Sequence, residues 1–260
     1  MRIKDVISAL ECFAPLPLQE DYDNAGLQVG LTEAEVSGVL LCLDVTEDII
    51  GEAEAKGCNM IVSHHPLLFR GLKQVSDANY VQRCVMAAIR KGITIVSMHT
   101  NLDSAKGGVN YMIARHLGLQ DVRLLGAHEV EGVEGGIGVV GTLPEALTAE
   151  QYIYKVKEEF RAGVVMTNEP LERPVRTVAI CGGAGSFMLG KAIAAGADAF
   201  LTGEMHYHEY FGHEQEILIS VIGHYESEQY TSQLLGEIIE SRCPGVRTEL
   251  GGNTNPVRYW

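Results

Sequence analysis

The sequence predicts an α/β protein, and three observations carry that prediction. Apolar runs of strand length, rich in β-branched residues and without alternation, recur between segments of helical periodicity. Thr46 and Gly57, and later Thr148, stand where helix caps belong. The pattern of the first half then returns in the second, as expected of repeated β-α-β units.

Taken in order, "MRIKDVISALECF" sets Ile3, Val6, Ile7 and Leu10 at helical spacing. Lys4, Asp5 and Glu11 interrupt any signal-peptide core, so the segment reads as the first helix of a cytoplasmic protein. A Pro-punctuated loop leads to a short strand at Leu27–Val29, and "GVLLCLDV" (38–45) is a buried strand. "TEDIIGEAEAKG" is a helix with Thr46 as N-cap, acids in its first turn and Gly57 at its end. "NMIVS", the helix "YVQRCVMAAIRKG", the strand "ITIVSM" (93–98) and the helix "GGVNYMIARHLG" follow. From about 120 to 145 the texture changes, with "GGIGVVGTL" as a glycine-broken antiparallel strand. Thr148-x-x-Gln151 is a capping box that opens another helix, and "GVVMT" is a strand.

"TVAICGG" (177–183) then repeats "VLLCLD", and a helix and "DAFLTG" follow it. Setting Cys42 on Cys181 puts Gly57 on Gly196, Asn59 on Asp198 and Ser63 on Thr202 at one constant offset, and "ITIVSMH" meets "ILISVIGH" at a shorter one. The expectation is an internal duplication, with a first repeat over residues 1–125 and a second over 126–260; chance likeness of short β-α-β units is the alternative.

With 34 acidic against 20 scattered basic residues, the net charge is −14. That repels phosphate backbones, so nucleic acid is disfavoured as a partner. No apolar run approaches the ~20 residues of a membrane span. The six cysteines sit singly, without a C-x-x-C, which fits buried thiols in a reducing compartment and counts against a thiolate metal site.

The chemistry gathers at strand ends. "MIVSHHPLLF" (60–69) runs an apolar strand into His64 and His65, where Pro66 stops regular structure. Two further strands end in histidine followed four residues later by an acid: His99 with Asp103, and His224 with Glu228. Open α/β sheets build sites at this carboxyl edge. Imidazoles and carboxylates without thiolates suit Zn²⁺, Fe²⁺ or Mn²⁺, and two ions about 3.5–4 Å apart would use the whole set. The alternative is that each acid merely caps a helix.

"DNAGLQVG" (23–30), "SHHPLLF" (63–69), "HTNLD" (99–103), "GEMHYHE" (203–209) and "GHYESE" (223–228) together resemble the motif series of the Nif-three-like, or YbgI-like, family. Its bacterial members are often named GTP cyclohydrolase I type-two homologues. The match runs in order through nearly the whole chain. The resemblance implies two intertwined, duplicated α/β repeats with mixed sheets and a dinuclear metal site at the strand carboxyl ends between them. It also implies a hexameric ring. By position, His64 and His224 would bind one ion, His65 and Asp103 the other, and Glu228 would bridge. His99 would lie beside the metals or carry protons, Glu204 could share that role, and Asn24 and His206 are candidates for substrate contact. The implied cofactor is two divalent ions per chain, and the implied activity is a hydrolase using a metal-bridging hydroxide on a small molecule, with a nucleotide as the named case. A metal-binding scaffold with little turnover and a DNA-repair-associated ring are the alternatives. The stretch from about 125 to 170 is too short for the extra domain some members insert.

Other features weigh less. "GAGSFMLGKA" mimics a phosphate loop, but Ala192 stands where Ser or Thr must hold magnesium, and the helix already begins near Ser186. Asp23 and Asn24 fit a turn, and the resemblance adds a place near the metals. Glu226 is expected to face solvent, His208 and His213 to lie at the surface or an interface, and Trp260 to pack on the body or a neighbouring subunit.

Overall fold

Helix α1 (Ile3–Phe13) buries Ile3, Val6, Ile7 and Leu10, the stripe its spacing predicts. Strand β1 (Gly26–Val29) follows, and β2 (Val39–Cys42) begins a run of parallel strands. Helix α2 (Glu47–Ala55) connects β2 to β3 (Met60–Ser63), and α3 (Tyr80–Lys91) connects β3 to β4 (Thr94–Ser97). Both helices start on side-chain caps: Thr46 Oγ1 accepts from the Ile49 amide and Asn79 Oδ1 from that of Gln82. Gly92 ends α3 in the left-handed conformation. Every residue of β2, β3 and β4 is buried, because helices and loops cover a parallel sheet on both faces; that is why their sequences are continuous apolar runs.

The second unit repeats this plan with changes. The short helix α4 (Thr100–Ser104) leads into it, and α5 (Val109–Leu117) and β5 (Gln120–Leu124) follow. A hairpin, β6 (His128–Val130) and β7 (Val133–Gly135), precedes β8 (Val139–Leu147). Helix α6 (Ala149–Glu159) opens on the capping box between Thr148 and Gln151. Then come β9 (Met166–Thr167), β10 (Val175–Cys181), α7 (Leu189–Ala194), β11 (Ala199–Thr202), β12 (Leu218–Val221) and the short α8 (His224–Glu228). Gly190 lies inside α7, so no phosphate loop forms there. The sheet order is β5-β8-β10-β11-β12-β9, with β10, β11 and β12 parallel and the outer strands antiparallel.

The chain then returns to the first sheet through α9 (Thr231–Arg242) and β13 (Thr248–Leu250), which pairs parallel to β2 and gives the order β1-β4-β3-β2-β13. By packing, one compact unit comprises Met1–Leu102 and Tyr230–Thr254, and the other Asp103–Gln229 and Asn255–Trp260. These packing units differ from the expected repeats of 1–125 and 126–260, because helix α9 buries its apolar side in the first unit, against β2 and α1. The strands β2 and β3 do fall on β10 and β11 at the constant offset seen in the sequence.

The computed structural model describes residues 1–252 and 254–260. Among them no helix is long and apolar enough to cross a membrane. Trp260 is exposed, so it does not pack on the body.

Candidate metal centre

Strand register sets the site. Cys42 pairs with Ser63 and Ser63 with Ser97, so β2, β3 and β4 end level with one another. Two residues past each of those ends stand Asp44, His65 and His99. The hydroxyls of Ser63 and Ser97, 2.8 Å apart, lie 2.9 and 3.3 Å from the His65 carbonyl oxygen and fix the backbone where the histidine pair leaves β3.

Three imidazoles converge there. His64, His65 and His99 each offer a ligand atom within 4.8 Å of the others. His64 is fully buried, its ring centroid 4.9 Å from that of His65 and 5.3 Å from that of His99. Each ring has its Nδ1 on an oxygen: His64 on the Met98 carbonyl at 2.8 Å, His65 on Asp44 Oδ1 at 2.8 Å and His99 on Asp23 Oδ1 at 2.7 Å. A neutral ring that donates from Nδ1 carries its lone pair on Nε2. Oriented imidazoles of this kind, tied from behind by carbonyl or carboxylate, are how proteins prepare histidine for a metal. The donor set therefore fits a first-row divalent cation.

The Asp23 side chain is wholly buried. Burial alone would raise its pKa, but hydrogen bonds from His99, Thr100 and the Asn24 amide outweigh that and hold it down at about 2. Asn24 itself donates through Nδ2 to the Leu68 carbonyl at 2.8 Å, so its amide braces the loop.

The second unit assembles its own group on the same plan. Thr202 pairs with Cys181 and with Val221, and Gly183 and Glu204 stand two residues past the ends of β10 and β11. Gly223, at φ +102°, adds one residue before His224. His224 Nδ1 lies 3.0 Å from Glu204 Oε1, and its Nε2 lies 3.2 Å from Oε2 of the buried Glu228. Glu204 thus backs His224 as Asp44 backs His65. Gly183, at φ +58°, lets Glu228 in: a Cβ there would sit 2.3 Å from Glu228 Oε1. The Gly183 amide donates to Ser227 Oγ, and its carbonyl accepts from the amides of Gly203 and Glu204. These glycines are a tight turn holding Glu228.

Of the sequence-derived candidates, the structure gathers His64, His65 and His99 in one unit and Asp103, Glu204, His224 and Glu228 in the other, where ligand atoms of Asp103 and Glu228 lie within 4.8 Å of each other. Asp103 lies on α4, where its carbonyl accepts from Asn110 Nδ2 at 3.1 Å. His206 opens the turn Tyr207–Tyr210, its amide donating to Glu209. One expectation is corrected: Glu226 is buried and accepts from Asn255 Nδ2 at 2.8 Å, because the terminal segment of the second unit covers it. Asp44 was not among the candidates, because the strand expected over 38–45 runs through it and hides its place past the end of the ladder.

The chain matches, over residues 1–256, a family model described as Duf34/NIF3 (NGG1p interacting factor 3). It is 33% identical over 256 residues to the "GTP cyclohydrolase 1 type 2 homolog" of Clostridium acetobutylicum, covering 98% of this chain and 94% of that one. A protein of the same name from Lactococcus lactis subsp. lactis is 33% identical over 263 residues, with 98% of each covered. Among solved structures, Staphylococcus aureus protein SA1388 is similar at a TM-score of 0.90 and 27% identity, covering 100% of this chain and 99% of that one.

Proposed function

The chain belongs to the Duf34/NIF3 family, and from that premise we propose that it is a dinuclear metal-binding protein acting as a hydrolase on a nucleotide. In this reading His64 and His224 hold one ion, His65 and Asp103 the other, and Glu228 bridges, with zinc, iron and manganese as the candidate metals. The observation that carries it is the shared dress of the four histidines, each with Nδ1 against an oxygen at 2.7–3.0 Å. Two such ions would lower the pKa of a water held between them and polarise the bond it attacks. The chain's own contribution is orientation and proton handling. Asp44 and Glu204 fix the rings of His65 and His224. His99 is held through Nδ1 by ionised Asp23, which fixes the ring and leaves Nε2 as the atom it would turn toward a proton in transit. The nucleotide class is taken from the printed name of the relatives. Assembly as a homo-oligomer, a ring of six, and a place in the cytoplasm belong to the same proposal.

Metal content per chain, measured by elemental analysis after reconstitution, tests the reading. About two equivalents are expected in the parent and a sharp loss in Glu228→Ala. Less than half an equivalent of every candidate metal in the parent would sink it.

A further inference from the structure

We propose that Asn255 and Tyr259 are positioning residues for the ligand group of the second unit. They grip the buried Glu226 carboxylate from the far side of α8 and so fix where His224 and Glu228 point. That these two residues hold a metal rests on the reading above.

Helix α8 has five residues, too few to be held by its own hydrogen bonds, so its orientation comes from its neighbours. His224 and Glu228 stand four apart and share one face, with Nε2 and Oε2 3.2 Å from each other. Ser227 supplies one anchor: its Oγ accepts from the Gly183 amide at 3.0 Å and donates to the His224 carbonyl at 2.8 Å. One anchor leaves a short helix free to turn about it. Glu226 supplies the second. It lies two residues from each ligand, about 200° around the helix, and is 6% exposed.

A buried carboxylate needs partners. Among the described residues no cation meets this one; its partners are two neutral donors from the segment 255–260. Asn255 Nδ2 donates to Oε1 at 2.8 Å, and the Tyr259 hydroxyl donates to the same carboxylate. Burial and the nearby Glu226 charge push the Tyr259 phenol up in pKa, so it keeps the proton it donates. Two glycines leave room for the tyrosine. A Cβ on Gly223 would overlap Glu226 Oε2 and lie 2.7 Å from the Tyr259 hydroxyl, and one on Gly163 would lie 3.2 Å from the Tyr259 ring. Asn255 is itself fixed, since its Oδ1 accepts from the Val257 amide at 2.9 Å. Residues 256 to 260 are all exposed, so the segment buries little of itself. Its polar contacts converge on Glu226.

Three full-length variants test the proposal. Tyr259→Phe keeps the ring on Gly163 and removes the donor. Asn255→Asp keeps the acceptor for Val257 and sets an acceptor where the donor was. Glu226→Gln combined with Asn255→Asp exchanges donor and acceptor, and should restore the bond. Hydrogen exchange of residues 223–228, followed by mass spectrometry on chelator-treated protein, reads the hold on α8 without metal. Zinc affinity, read by competition with a chromophoric chelator, reads its consequence.

Both single variants should exchange about tenfold faster over 223–228. They should also bind zinc about tenfold more weakly, the loss expected when a ligand is no longer oriented from behind. The double variant should recover both values. Equal exchange and equal zinc affinity in the parent and both single variants overturn the proposal. So does a double variant that recovers neither, or exchange that rises as much over residues 60–65 of the first unit, which would mark general loosening. If the parent takes up no zinc while 223–228 still loosens and recovers, the grip on α8 stands and the metal reading falls. Zinc uptake by the parent, with exchange and affinity unmoved in every variant, does the reverse.

Discussion

Asp44, His65 and His99 occupy equivalent steps past three level strands, so the side chains that meet are chosen by register. The histidines were legible in the sequence because two adjacent imidazoles after an apolar run have few structural uses. Asp44 was not, because "CLDV" reads as strand and nothing local marks where the ladder stops. Gly183 was not legible for a related reason: its sequence marks a turn, and its role shows only when Glu228 is seen against it. Gly183→Ala should cost about 1–2 kcal/mol from its left-handed backbone. It should also displace Glu228, so metal content should fall by at least half while far-ultraviolet dichroism stays native. Asp23 makes a prediction about pH. Its pKa falls from 3.8 to about 2 on folding, so its ionised form stabilises the protein above about pH 4, and that contribution is lost as pH drops towards 2. Asp23→Asn should therefore be less stable than the parent by about 2 kcal/mol at pH 7. In urea titrations the gap should close progressively below pH 4; a constant gap would contradict the assignment.

At the scale of elements, the parallel strands and their capped connecting helices were the most readable part, since burial on both faces leaves an unbroken apolar run. Helix α9 and strand β13 escaped notice. Thr231, Ser232 and Gly236 are buried in α9 beside Leu234, Leu235, Ile238 and Ile239, so its inward face is partly polar and small. That blurs the period-3.6 signal on which a helix is recognised. The small face has a purpose: a Cβ on Gly236 would lie 3.2 Å from Leu41 Cδ1, so the helix sits close on β2. Leu235 is wholly buried, and Leu235→Ala should cost about 2–5 kcal/mol in denaturant unfolding. A cost below 1 kcal/mol would mean that α9 adds little to the first unit.

At the scale of the molecule, the net charge of −14 concentrates acids that only a few sites use. If two cations are held by deprotonated ligands, their binding is coupled to folding. Chelation should then lower the thermal midpoint, and zinc, iron or manganese should restore it; a metal at 100 times its dissociation constant adds about 2.7 kcal/mol. An unchanged midpoint would contradict that coupling. The return of β13 to β2 has a consequence for synthesis. Strand β2 leaves the ribosome about two hundred residues before its partner β13. Through that interval a wholly apolar strand presents an open edge, the feature through which unfinished proteins pair with one another. The β13 of a neighbouring copy made on the same message has the same sequence and fits the same edge. Swapping between copies should therefore rise when translation beyond β2 is slowed and fall when a chaperone shields the waiting edge.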